Sequence, residues 1–251
     1  MDTRVHKKLH PNRRICIGGS DARIIMGDDQ DKLVRLWREK RGEALPVDLT
    51  NDFMIQLGSI TQELNRTWYE RTSGHTVGDV HRKVRHPVHK WMGATLDGRV
   101  QQTGALYEAK FMLPWNFSGK TAADEFMAQL QHNMWVVAAC SAVLSIITGG
   151  GKWAEITVHA DPLYQHLLLT AEKKFWRCVQ TGEPPILFNI ETPRPRLEAV
   201  KVIDISSSNG WAQLAATHLR TQDADHEHVS AQADLKKVEA KSAEAPRASV
   251  Q

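Results

Sequence analysis

Cysteine is scarce in this chain. There are three in 251 residues, at positions 16, 140 and 178, odd in number and without a CxxC pair. This excludes a disulfide framework and a cysteine-based zinc site, and predicts reduced thiols in a cytoplasmic protein. Long hydrophobic runs are missing too. The longest, MWVVAACSAVLSII (134–147), is too short to span a bilayer, and no segment resembles a signal peptide, so no membrane is expected as a partner. Strong charge of one sign is also absent: 32 Lys+Arg against 29 Asp+Glu leaves a net +3. That mild basic bias is compatible with nucleic acid but insufficient to argue for it. There are no internal repeats. What is present, 41% hydrophobic and 24% charged residues, suits a globular protein able to bury one sizeable core.

Basic runs at the start (RVHKKLHPNRR) and at 81–90 (HRKVRHPVHK) read as surface when taken alone. Helical patterns cover 31–42 and about 51–73, the second with Phe53, Leu57, Ile60, Leu64 and Trp68 along one face and Gly74 ending it. From 76 to 111 the pattern changes to short strands separated by DGR and QQTG turns. A helix over about 122–139 follows, then strands SAVLSIIT and WAEITVHA joined by GGGK, then a helix opened by Asp161 and Pro162, and a last strand AVKVIDIS. This order predicts an α/β (α+β) fold with a central mixed β-sheet flanked by helices. One domain is expected over residues 1–205, with a polar, helical or disordered tail over 206–251.

The chemistry concentrates in ATLDGRV and YEAKF. Asp97 closes one strand at an Asp-Gly turn, and Glu108 and Lys110 stand two apart on the returning strand, hence on one face. Two nearby carboxylates repel unless a cation lies between them. Mg²⁺ suits that gap, since it takes oxygen ligands and usually binds one or two carboxylates plus substrate phosphate. Lys110 would then stand beside the metal, placed to orient or deprotonate an attacking water. The same residues could instead form a turn and an ordinary cross-strand ion pair.

The wider context resembles the lambda-exonuclease and YqaJ-type viral recombinase nucleases of the PD-(D/E)xK superfamily. The matching landmarks, in the family's order, are GGSDA, LGSITQELNRTWYERTSG, ATLDG, YEAKF and MAQLQHNMWV, covering about residues 13–160. The resemblance implies a restriction-endonuclease-like core, with metal ligation by Asp97, Glu108 and the Ala109 carbonyl. It makes Lys110 the catalytic lysine and Gln129 the helical glutamine. At about 100° per residue, Gln129 lies roughly 60° from Phe126, bordering the apolar stripe, while Gln131 points away. The family's helical acid falls four residues after a glycine, which is Gln62 after Gly58, whereas the helix face favours Glu63; Glu63 is the residue expected in that slot. RRICIGGS resembles the element that receives a 5′-phosphate, with Arg13 and Ser20 as its contacts.

The implied activity is 5′→3′ digestion of one strand from double-stranded DNA ends, with Mg²⁺ (or Mn²⁺ in its place). A phage-type single-strand annealing protein is the implied partner, and a homo-trimer the implied assembly. A structure-selective or restriction-type endonuclease would use the same chemistry, and a non-catalytic DNA-binding accessory protein is the third reading. TGGGKW departs from a phosphate-binding loop at Ser145 and Trp153 and reads as a hairpin turn. His81, His86 and His89 are expected on a DNA-facing surface rather than around a metal, and Trp115 is the tryptophan placed to touch DNA.

Overall fold

A computed structural model describes residues 15–47 and 52–204, with five isolated positions beyond (217, 221, 231, 232 and 235). The chain divides into two units, 1–204 and 205–251; the tail expected over 206–251 otherwise lies outside the described residues, as does Arg13.

The first three helices begin and end where side-chain chemistry dictates. Helix α1 (Gly19–Ile25) follows Gly18, whose N–H donates to Asp21 Oδ2 at 2.8 Å. Helix α2 (Gln30–Arg41) is capped by Asp29, which accepts from the Lys32 N–H, and Gly42 ends it in the left-handed conformation. Helix α3 (Phe53–Ser73) is capped by Asp52 and stopped by Gly74, with φ +74°.

The strands are β1 (Val77–Gly78), β2 (Lys83–Arg85), β3 (Gly93–Thr95), β4 (Gly98–Val100), β5 (Leu106–Met112), β6 (Ser141–Thr148), β7 (Lys152–His159) and β8 (Leu197–Asp204). Six form one sheet in the order β1-β4-β5-β6-β7-β8, and β2 and β3 form a separate ribbon. Only β5 and β6 run parallel. A parallel neighbour cannot be reached by a tight turn, so the chain crosses over through helix α4 (Gly119–Val137). That crossover lays α4 across the sheet, where Phe126, Leu130 and Met134 join Leu106, Leu144, Ile146 and Ile156 in the main core. Helix α5 (Pro162–Thr181) meets α1 and α2 through Ile25, Leu33, Leu36 and Phe175 in a second core. Among the described residues no helix is long and apolar enough to cross a membrane.

Two local expectations are corrected. Asp97-Gly98 is not the hairpin turn. The chain passes from the β2/β3 ribbon into β4 there, and the reversal comes at Gln101–Gly104, with Gly104 at φ +72°. The apolar stripe of α3 docks only in part: Phe53 is 71% and Ile60 43% exposed, Leu57, Leu64 and Trp68 are half-buried, and the fully buried positions are Asn65 and Tyr69.

The reason for the second correction is a polar lock. Asn65 Nδ2 donates to the carbonyls of Ser145 (2.8 Å) and Lys110 (3.2 Å), bridging β6 and β5, while Ser145 Oγ donates to Asn65 Oδ1 at 2.6 Å. Trp153 Nε1 completes the network on Ser145 Oγ. A satisfied buried network outweighs the outward apolar pattern. Asn65→Ala is therefore expected to destabilise the fold by about 2–4 kcal/mol in urea titrations, since buried partners lose their bonds.

Candidate active site

Residue pairing in the β4–β5 hairpin brings the site together. Gly98 lies opposite Tyr107, so Asp97, the residue before it, comes level with Glu108. A side chain at Gly98 would clash with Val77, which leaves glycine as the residue that lets β4 lie against β1. Asp97 Oδ2 accepts the Ala109 N–H at 3.0 Å, which ties the acid to the middle of the EAK stretch. Glu108 is 4% exposed. Its Oε1 accepts from Lys110 Nζ at 2.7 Å and from Gln129 Nε2 at 2.5 Å, and its Oε2 faces Asn133 Nδ2 at 3.4 Å.

Helix α4 thus presents Gln129 and Asn133, one turn apart, to the same carboxylate. Helix α1 approaches α4 closely here. A Cβ on Gly19 would stand 2.6 Å from Asn133 Oδ1 and 2.9 Å from Gln129 Cγ, so the glycine permits that approach.

Burial first, and then the negative charge of Glu108, push the Asp97 carboxyl up from 3.8 to about 7; Lys110, the Ala109 N–H and the Gln62 side chain act in the other direction without offsetting them. Two carboxylates that strain to be ionised together would be relieved by a cation between them. Their donors are hard oxygens with neither thiolate nor imidazole beside them, which fits Mg²⁺ or Mn²⁺ better than zinc. Among the described residues no cluster of three or more His, Cys, Asp or Glu forms a larger metal cage.

The helical slot is corrected. The Gln62 side chain acts on Asp97, holding its carboxyl down. Glu63, half-exposed, turns outward to Arg66 at 3.8 Å. The cause is the Asn65 lock: fixing residue 65 against the sheet turns 61 and 62 inward and 63 out. Gln131 points away from Glu108, but into the interior rather than to solvent, donating to the His159 carbonyl at 2.7 Å and accepting from the Asp161 N–H.

Ser20, exposed on α1, lines a cavity of about 470 Å³ together with Lys83, Arg85, Thr95 and Lys40. Lys40 is buried, pairing with Asp21 at 2.5 Å and donating to the Cys16 carbonyl at 2.8 Å, which staples the Gly18-Gly19 turn to α2. Trp115, 77% exposed, sits in a short 3-10 turn (Pro114–Asn116) after β5. His86 and His89 stack on one another at 5.0 Å; His86 Nδ1 accepts the N–H groups of Val88 and His89, so this pair shapes a loop.

Asn133, Lys40 and the buried pair His132–Glu172 (Nδ1 to Oε1, 2.7 Å) were not among the residues read from sequence. Asn133 had a findable signal, since it stands four residues after Gln129 and shares its face. Lys40 and the pair had none, because their partners lie 19 and 40 residues away.

The model of the YqaJ-like viral recombinase domain matches residues 8–149. Among solved structures, the alkaline exonuclease LHK-Exo from Laribacter hongkongensis superposes with a TM-score of 0.57 at 17% identity, over 68% of this chain and 90% of that one. The same protein in complex with dAMP gives 0.56 at 17% identity, over 68% and 91%. The likeness shows a shared fold, the restriction-endonuclease-like mixed sheet with helices on its faces. No curated protein sequence matches the chain.

Proposed function

From the premise that the chain belongs to the YqaJ-like viral recombinase domain family, we propose that it is a metal-dependent DNA exonuclease acting on duplex ends. The observation that carries this reading is the convergence of Asp97 and Glu108 from neighbouring strands, with the Lys110 amine 2.7 Å from Glu108. The similar Laribacter protein is described as an alkaline exonuclease and was crystallised with dAMP, a nucleotide of the kind released by stepwise cleavage.

Asp97, Glu108 and the Ala109 carbonyl would hold the divalent cation, which supplies Lewis-acid charge at the scissile phosphate. The protein's own groups do the rest. Gln129 fixes Glu108 through its amide, and the Ala109 N–H fixes Asp97, so both acids are oriented before substrate arrives. Lys110, with its Nζ held between Glu108 and the Phe126 ring, orients the attacking water and offsets charge growing on the phosphorus oxygens. Ser20, in the cavity with Thr95 and Lys83, and Arg13 would anchor a terminal 5′-phosphate, which sets 5′→3′ polarity. The single-stranded product would serve an annealing protein.

The test is digestion of end-labelled linear duplex, with and without a 5′-phosphate, in Mg²⁺ and in EDTA. Mg²⁺-dependent release of label, faster with the phosphate and absent on closed circular DNA, is expected. Lys110→Ala should lower kcat by roughly 10²-fold or more, with DNA binding retained. Label release in EDTA would refute the scheme. One observation favours a second reading: Gln62, not a carboxylate, faces Asp97, leaving the site one acid short of its relatives' pattern. A non-catalytic DNA-binding protein predicts no Mg²⁺-dependent digestion at all.

A further inference from the structure

Phe126 of α4 carries two cations. Lys110 Nζ lies over its ring at 5.1 Å from the centroid, and the Arg23 guanidinium at 4.6 Å. Sharing one ring caps the separation of the two charges at about 10 Å. Arg23 belongs to α1, three residues after Ser20, so the two stand side by side on one helical face. Arg23 thus lies near Lys110 on one side and on the other lines, with Ser20 and Lys32, a cavity of about 540 Å³ whose wall also carries Asp28, Asp29 and Asp124.

We propose that Arg23 is a further substrate-binding residue, holding a backbone phosphate of the DNA a few nucleotides from the scissile one. This rests on the nuclease reading above. A DNA strand carries one phosphate per ~3.4 Å of axis, so a cation this close to Lys110 is within reach of a phosphate only a few nucleotides from the cut. The side chain is also prepared for the task. Glu125 Oε1 accepts from Arg23 Nη2 at 2.8 Å, which aims the guanidinium but occupies only one of its donors, and the side chain stays 35% exposed. Arginine suits this place because its planar fork stacks on an aromatic ring while offering other N–H groups to phosphate oxygens. The Glu125 carboxylate, 48% exposed, competes with DNA for that charge.

The discriminating experiment compares Arg23→Gln, Arg23→Lys and Glu125→Gln for KM and kcat on linear duplex in Mg²⁺. It also measures the Kd for the same DNA in Ca²⁺ across a salt series, with melting temperatures as the check on folding. Arg23→Gln should raise KM and Kd roughly tenfold and reduce the salt slope by about one, with kcat changed far less. Arg23→Lys should recover part of the loss. Glu125→Gln should leave Kd unchanged or tighter, because it breaks the ion pair while freeing the guanidinium. If Glu125→Gln reproduces the Arg23→Gln defect, Arg23 acts only as a tie between α1 and α4, and the proposal is overturned. An unchanged salt slope in Arg23→Gln overturns it as well. Should wild-type chain bind DNA but digest none, the nuclease reading fails while the Ca²⁺ arm still reports whether Arg23 touches the backbone.

Discussion

Asp97→Asn should destroy Mg²⁺-dependent digestion and at the same time make the metal-free protein more stable at alkaline pH. Both follow from one geometry. The carboxyl is buried beside Glu108, and those two causes raise it from 3.8 to about 7 in the folded chain. The folded state therefore holds this proton more tightly than the unfolded state does. The stability linked to it is fully present below pH 3.8 and is lost as pH rises through about 7. At pH 8 in EDTA the wild type bears the cost of two crowded carboxylates, on the order of 2–4 kcal/mol. Asparagine keeps an oxygen to accept the Ala109 N–H, removes the charge, and escapes that cost. Activity should fall roughly 10²–10³-fold or more, because an amide is a poor ligand for a hard cation and Glu108 alone cannot hold it in place. Thermal melts in EDTA at pH 5 and pH 8, beside digestion assays in Mg²⁺, check both halves. Equal melting temperatures for wild type and variant at pH 8 would show that the two acids do not share a cation-hungry site.

That site was legible in the sequence to the extent that its logic is local. Glu108 and Lys110 share a face because strands alternate, and Asp97 comes level with Glu108 because the hairpin is short. The caps at Asp29, Asp52 and Asp161 and the glycine stops at 42, 74 and 182 follow from local chemistry too. Gln129 came from the family resemblance, with which helical periodicity agrees, and it does meet Glu108. Periodicity held only in part on α3 for a physical reason: counting apolar residues assumes that the docked face is the greasy one. Here the docked face is organised by Asn65, whose amide satisfies two strand carbonyls, and the apolar residues of the first turns stay exposed. The same failure selected Glu63 over Gln62. A polar residue buried for its hydrogen bonds carries no signature in hydropathy, and its partner 80 residues away can be found only by folding the chain.

The pair His132–Glu172 belongs to that hidden class, and its removal should be the most damaging single change outside the site. Both side chains are 0% exposed. His132 Nε2 faces the Gly93 carbonyl at 2.9 Å, so that nitrogen must carry hydrogen, and Nδ1 faces the Glu172 carboxylate at 2.7 Å, so it carries one as well. Burial pulls the histidine down, but the charge and hydrogen bond of Glu172 and the Gly93 carbonyl outweigh it and leave the imidazole raised above its usual 6.5. Glu172 Oε2 has no hydrogen-bond partner among the described residues, so the imidazolium is what compensates the carboxylate. The pair ties α4 to α5 and, through Gly93, to the strand that leads to Asp97, while Gln129 and Asn133 flank His132 on the same helix. His132→Leu should cost about 3–5 kcal/mol in urea unfolding, because it strands a buried charge. The double variant His132→Leu/Glu172→Leu should recover most of that, since an apolar pair leaves nothing unpaired. The pH sign is set by the raised histidine: its contribution is fully present below pH 6.5 and is lost as pH rises through the folded value, so the wild type should weaken towards alkaline pH in a way the double variant does not. Additive costs in the double variant, or a single-variant cost under about 1 kcal/mol, would mean that the two groups are not held as a buried ion pair.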